Sequence, residues 1–598
     1  GYEAPQGEIE TTLARIWSEL LGHERVGRHD NFFELGGHSL LAMTMLERMR
    51  REGLRTDVRA IFTTPTVSGL AGVVEDAVHT VEVPPNRIPA HCEAIVPQML
   101  PLVELTATEI EQVVGTVMGG AANVQDIYPL APLQEGILFH HLLTEDADPY
   151  LLFTLTSFAS RPRLDGYLKA LQSVIDRHDI LRTGVVWKGL STPVQVVWRH
   201  AVLPVEEVTF DASMGDIAEQ LHKHVDPRHH RLDIRQAPLM RAYITYDEGE
   251  ERWLLLMLLH HLAGDHITLE VTQEETQAHL LGEEEHLPKP LPFRNFVAQA
   301  RRGVSQEEHE AFFRKMLGDV DEPTMPFGLS QVQGDGREIE QVRMEVDTAL
   351  TQRLRHRSRK LGVSVASLCH LAWAQVLARI SGREDVVFGT VLFGRMHAGE
   401  GSDRVMGLFI NTLPIRITVD KEGVQDAVQR THGLLANLLR HEHASLALAQ
   451  RCSAVQSPTP LFTALLNYRH SAGASRAPTA EAVRAWEGIE HLAGEERTNY
   501  PLTLSVDDWE DGFGLTAQVQ APIDAMQICQ YMHTALDRLV EALEREPGVA
   551  LDGVDVMPVA ERRQVVEEWN ATQREYPRDQ CIHELFEAQV VRTPDAVA

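Results

Sequence analysis

The chain has 598 residues, 43% of them hydrophobic, and a formal net charge of −31. That length suits three or four domain-sized units with real cores, and the acidic balance excludes a protein built to hold nucleic acid or an anionic membrane surface. No run of 18 apolar residues and no signal peptide occurs. The five cysteines are odd in number and lack CxxC spacing, so they read as reduced thiols of a cytoplasmic protein rather than as a disulfide frame or zinc site. The sequence starts and stops inside recognisable patterns, as expected of a piece of a longer protein.

In chain order, residues 8–22 carry Ile9, Leu13, Ile16, Trp17 and Leu20 at helical spacing, with Gly22 as the stop. A loop follows, Asp30-Asn31-Phe32-Phe33-Glu34-Leu35-Gly36-Gly37-His38-Ser39-Leu40. Its glycines allow a sharp turn, and Ser39 falls at the N-cap of a helix over 40–49. A further helical stretch after Pro65 carries Val67, Leu70 and Val74. Five prolines between 81 and 101 mark a semi-extended linker. Thr106 and Glu109 then signal the cap of a short helix.

From Asp126 onward, apolar strands alternate with amphipathic helices for over 400 residues. Strands are expected at 151–156 and 253–259, and helices at 166–177, 365–379, 527–544 and 560–569. This is α/β character in two lobes of roughly 200 residues each. No GxGxxG, P-loop, metal-ligand spacing or short-period repeat is present in the sequence.

The chemistry-bearing stretch is Leu258-Leu259-His260-His261-Leu262-Ala263-Gly264-Asp265-His266, at the end of a buried strand. Neighbouring strand residues face opposite ways, so one of the two histidines faces a cleft and the other is packed. A lone His-His pair is more often structural than catalytic. Ser39, taken alone, reads as a helix cap.

The longer strings change the weight. Residues 5–78, with the D-x-F-F-x-L-G-G-H-S-L string, resemble the peptidyl carrier domain of nonribosomal peptide synthetases. The resemblance implies a small four-helix bundle with 4'-phosphopantetheine attached at Ser39 by a phosphopantetheinyl transferase. An exposed hydroxyl and its phosphate suit a helix N-terminus. Residues 126–555 resemble a condensation domain of the same synthetases. The ordered strings are Tyr128-Pro129-Leu130-Ala131-Pro132-Leu133-Gln134-Glu135-Gly136, Arg177-His178-Asp179-Ile180-Leu181-Arg182-Thr183, the His-His stretch, Phe293-Arg294-Asn295-Phe296, Phe393-Gly394-Arg395, Met406-Gly407-Leu408-Phe409-Ile410-Asn411-Thr412-Leu413-Pro414 and Leu466-Asn467-Tyr468-Arg469.

The fold implied is two chloramphenicol-acetyltransferase-like α/β lobes in a V with a tunnel between them. The division expected is a carrier domain over 1–80, a linker over 81–105, lobes over 106–300 and 301–555, and, over 556–598, a linker with the truncated start of an adenylation domain. That last expectation rests on Tyr576-Pro577-Arg578, Ile582-His583-Glu584-Leu585-Phe586-Glu587 and Arg592-Thr593-Pro594. The partners implied are a downstream aminoacyl-loaded carrier and the adjacent adenylation domain, with neither nucleic acid nor membrane.

The reaction implied joins two carrier-bound thioesters through the acceptor's α-amine. Thioesters are already activated, so orientation, worth roughly 7–11 kcal/mol at best, carries much of the work. His261 is the expected working residue, either as general base or as the group that holds the amine and stabilises charge. Asp265 either points at His261 or, as the resemblance suggests, pairs with Arg395. His260 is expected to be packed, and Gly264 and Asn467 to line the tunnel.

Two features depart from the family pattern. The central motif usually ends Asp-Gly and here ends Asp265-His266, a variant known in the family. The string from His140-His141-Leu142 to Asp148 resembles one found in dual epimerisation/condensation domains, with Ala147 where that pattern has Gly. It reads either as a site of Cα proton exchange or as a helix end with ordinary surface histidines. A non-catalytic recruitment module would be signalled by a broken His-His-x3-Asp, which is intact here.

Overall fold

A computed structural model describes residues 2–76, 83–143, 148, 150–226, 230–330, 339–395, 404–456, 458–470, 480–495, 500–509, 512–575 and 577–595. The first unit is a bundle of four helices, Gly7–Leu21, Ser39–Arg51, Val58–Thr63 and Val67–Ala71. Leu13, Ile16 and Trp17 share one face of the first helix and meet Phe32 and Phe33 of the loop in the core. Gly22 ends that helix at φ 69°, a left-handed conformation that favours glycine. The Asp57 side chain caps the third helix and the Thr66 hydroxyl the fourth. The second helix begins at Ser39 itself, with His38 as its N-cap, one residue before the expected cap.

The expected linker is not a bare spacer. Its described part lays Ile88, Cys92, Ile95, Leu100 and Leu105 into a core shared with strands Val124–Pro129 and Val194–Trp198. The first four of these side chains lie between the prolines, so the extended backbone can bury them.

The first lobe holds a five-stranded sheet in the order Ile489–Glu495, Leu151–Phe158, Arg252–His260, Met240–Asp247, Val205–Glu207. Its outer strand comes from far along the chain: Ile489 pairs with Phe158 in antiparallel register. A lobe boundary drawn at residue 300 therefore misses this return into the first lobe. The second lobe holds six strands, ordered Ile339–Val346, Phe513–Gln520, Leu502–Asp508, Ala464–His470, Asp385–Leu392, Asn411–Thr418. Helix Val365–Ser381 is buried along most of its length and fills that lobe's core. Among the described residues, no single helix is long and apolar enough to cross a membrane.

The carrier bundle rests on the second lobe. Ala436 of helix Val424–Arg440 is buried in the carrier's core. The His432 ring stands 5.2 Å from Phe33 and 5.5 Å from Phe62, and Arg440 pairs with Asp57.

Candidate active site

The strand Arg252–His260 is apolar because both sheet faces are covered, and it delivers its last residue into buried structure. His260 has no exposed surface, whereas His261 retains 8%. His260 Nδ1 accepts the Leu262 N–H at 3.1 Å. That nitrogen therefore carries a lone pair, and Nε2–H donates to Asp148 Oδ2 at 3.0 Å. Burial holds His260 below its ordinary pKa, against the pull of Asp148.

His261 is arranged the other way round. Its backbone N–H donates to the Tyr150 carbonyl at 2.9 Å, and its Nδ1 lies 3.1 Å from the Gly264 carbonyl. A carbonyl only accepts, so Nδ1 bears the proton. Nε2 is left with a bare lone pair and, among the described residues, no hydrogen-bond partner. Gly264 is required by close approach: a Cβ there would stand 2.6 Å from the Thr268 Cβ.

Asp265 faces away from His261. Arg395 Nη2 lies 3.1 Å from both of its carboxylate oxygens. The Thr268 and Phe409 N–H groups donate to it at 3.1 and 3.2 Å. Arg395 is 1% exposed, donates to the Val405 carbonyl at 2.7 Å and lies over the Phe409 ring at 3.8 Å. The pair thus joins the His261 loop to the segment that packs Phe409 against Phe296 of the first lobe. Gly394, at φ 67°, brings the chain so close to Phe409 that a Cβ would lie 1.8 Å from its carbonyl oxygen. His266, the departure from Asp-Gly, is half exposed on the helix surface and pairs with Glu270. Asn467 lies on strand Ala464–His470, paired in register with Ser505, and its side chain makes no hydrogen bond to any described residue.

The other motif strings form the frame under this loop. Gln134 Nε2 donates to the Leu262 carbonyl at 2.9 Å. His178 pairs with Glu275 on helix His266–Leu281 at 2.9 Å, and Asp179 accepts the Phe293 N–H at 3.1 Å.

His141 is not a surface histidine. It is 5% exposed, and its Nδ1 lies 2.6 Å from the same Asp148 oxygen that takes His260. Burial pushes the Asp148 carboxyl up, but the two imidazoles facing it pull it further down, and it stays well below the usual carboxylate range. The ligand atoms of His141, Asp148 and His260 lie within 4.8 Å of one another. Such a set has metal-ligand composition, but the two hydrogen bonds to the carboxylate account for its closeness. His140 is half-buried, and desolvation lowers its pKa. Thr144 to Ala147 of that string lie outside the described residues. No local signal in the sequence joins Asp148 to His260, because 112 residues separate them. The cap that Asp265 forms with Thr268 was legible in principle as Asp-x-x-Thr before a helix.

The start of helix Ser39–Arg51 meets the second lobe at a small cavity of about 40 Å3. Gly36, Gly37 and His38 line it from the carrier, and Arg355, Arg359, Ser364, Tyr468, His470 and Asp508 from the lobe. The His38 ring stacks on His470 at 4.2 Å. A second, more apolar cavity of about 80 Å3 shares Ser364, Ala366 and Tyr468 with the first. It is also lined by Thr390, Leu392 and Phe393, on the segment that leads to Arg395.

Two sheet-based lobes, with His261 just past the end of a strand of the first, frame this loop. Residues 124–566 match the condensation domain family, and residues 11–74 match the phosphopantetheine attachment site. The chain belongs to the condensation domain family of nonribosomal peptide synthetases, with a carrier domain that takes phosphopantetheine in front of it. It is 50% identical over 597 residues to malpinin synthetase and 49% identical to malpibaldin synthetase, both of Mortierella alpina. All of this chain is covered in each match, but it spans only 8% and 11% of the length of those relatives. Gramicidin S synthase 2 of Brevibacillus brevis is 26% identical over 616 residues, covering 100% of this chain and 12% of its own length. A four-domain nonribosomal peptide synthetase bound to AMP and glycine superposes with a TM-score of 0.62 at 14% identity, covering 79% of this chain and 37% of its own. The condensation domain of a monacolin K polyketide synthase gives 0.55 at 20%, covering 72% of this chain and 100% of its own. These two likenesses bear on the fold alone.

Proposed function

We propose that this carrier and condensation pair forms an amide bond between an acyl or peptidyl group held on Ser39 and the α-amine of an aminoacyl group held on a downstream carrier. The observation that carries the reading is the His261 ring: Nδ1–H is committed to the Gly264 carbonyl, and Nε2 keeps its lone pair on the histidine that retains exposure. That nitrogen accepts a hydrogen bond from the incoming amine, orients it and takes its proton as the amide C–N bond forms and the thioester C–S bond breaks, the proton leaving on the released thiol. The Asp265–Arg395 pair holds the loop and takes no part in the proton's path. His260, fully bonded, keeps the strand end in register.

The residues around Ser39 fit the arm. Gly36 and Gly37 come shortly before it, the helix begins at it, and the residues just ahead of it line a cavity between carrier and second lobe. When bound, the arm supplies a thiol that holds the acyl group as an activated thioester. The carrier's docking on the second lobe supports its role as donor. The division at 1–80, 106–300 and 301–555 stands as a proposal with strand Ile489–Glu495 assigned to the first lobe, and 556–598 as the entry to an adenylation partner.

The test is amide formation from a defined acyl donor on the holo-carrier and an aminoacyl thioester acceptor, read by mass spectrometry. Ser39→Ala is expected to give no loaded donor and no product. His261→Ala is expected to load normally and yield no product. Full turnover by His261→Ala overturns the assignment.

A further inference from the structure

The helix Thr348–Leu361 carries arginines at 353, 355, 357 and 359. Three of them have carboxylate partners. Arg353 meets Asp537 and Glu544, Arg355 meets Asp508, and Arg357 stands 3.7 Å from Glu544. The Arg359 side chain has neither a hydrogen bond nor an ion pair among the described residues. It is exposed, yet its guanidinium is directed at the carrier: a Cβ on Gly36 would lie 3.7 Å from Arg359 Nη2. The carrier presents no acid to this cavity, only Gly36, Gly37 and His38 among its polar and small residues. His38 is held neutral there, its pKa pushed down to about 3 by burial and by His470. The remaining acid of the lining, Asp508, is already engaged by Arg355 and the Tyr468 hydroxyl. A cation thus faces the uncharged segment 36–38, which leads into the helix that starts at Ser39.

We propose that Arg359 binds the phosphodiester of the phosphopantetheine arm and so holds the loaded carrier against the second lobe. This rests on the assignment of the arm to Ser39. The guanidinium offers paired N–H donors that match two phosphate oxygens. The contact forms only when the arm is attached and the carrier is docked. Arg359 therefore distinguishes holo from apo carrier at this face.

The experiment uses the whole chain, converted to the holo form with coenzyme A and a phosphopantetheinyl transferase. Loading is verified by intact mass. The readouts are the 31P resonance of the arm and the rate at which a carrier-protein phosphodiesterase removes it. In R359Q, the resonance is expected to move toward the position seen in the same holo chain unfolded in urea, and removal to quicken roughly two- to fivefold, the size of a partly exposed charged contact. R359K is expected to fall between R359Q and wild type. R353Q, which loses a pair remote from the cavity, is expected to leave both readouts at wild-type values. A loaded R359Q protein with wild-type resonance and removal rate overturns the proposal alone. A chain that never gains the arm at Ser39 overturns the attachment assignment, and this proposal with it.

Discussion

Replacing Asp265 with alanine removes the centre of a buried knot. Its two oxygens take Arg395, the Thr268 N–H and the Phe409 N–H, and both charged side chains are at most 2% exposed. Without the carboxylate, a guanidinium is left unpaired in the interior, which costs about 3–5 kcal/mol. The two orphaned N–H groups are part of that same figure, since each alone costs about 1–3 kcal/mol when nothing replaces the acceptor. With a denaturant slope of about 3 kcal/mol per molar urea, the condensation-domain midpoint falls by about 1 M or more. Tryptophan fluorescence in a urea series reads this directly. Asp265→Leu combined with Arg395→Met is expected to recover the part due to the unpaired guanidinium, because a packed apolar pair needs no solvation, while the Thr268 and Phe409 N–H groups stay without an acceptor. An Asp265→Ala protein that unfolds at the wild-type midpoint refutes the reasoning: the pair would then not be holding the loop.

Gly394→Ala forces a Cβ into the Phe409 carbonyl at a left-handed φ. It is expected to cost more than about 2 kcal/mol and to lower activity with stability, read by thermal melting beside turnover. Carrier docking is expected to weaken in acid. His38 titrates at about 3 when docked against an ordinary 6.5, so its contribution is complete above pH 6.5 and is lost as pH falls toward 3. Each unit in that window costs up to about 1.4 kcal/mol. Fluorophores on the carrier and second lobe report the separation, and His38→Gln flattens the dependence; an equally steep acid response in that variant contradicts it. Asp148→Asn leaves His141 and His260 without their shared anion. It is expected to lower turnover through His260 and leave the stereochemistry of an L-aminoacyl donor unchanged. Product of inverted donor configuration from the wild-type chain would instead support the epimerising alternative.

What was legible in the sequence is what short-range physics encodes. Strand alternation predicted that His260 and His261 part company. They do, one sealed on Asp148 and the other with a free nitrogen, but the strand ends at His260 and a 3-10 turn opening at His261 is what separates them. The Thr106–Glu109 signal gave a capping box, and Gly22 gave a helix stop. Helix Arg161–Arg177 began five residues earlier than its apolar spacing suggested, because Ser160 caps it and Pro162 suits its first turn. Helix Val58–Thr63 is too short for periodicity to reveal. The longer-range features left no local trace. Strand Ile489–Glu495 returns to a sheet begun more than 300 residues earlier. The histidine stack of the docked carrier joins residues 38 and 470. Each of these contacts depends on where the fold brings distant segments, and no window of a dozen residues contains that information.

The free ring nitrogen of His261 is the centre of the proposed chemistry. Single-turnover amide formation, compared between wild type and His261→Ala with both carriers fully loaded, tests it most directly. A loss of about 10²-fold or more, with the unfolding free energy changed by no more than about 1 kcal/mol, is the predicted result. Equal single-turnover rates in the two proteins would contradict it.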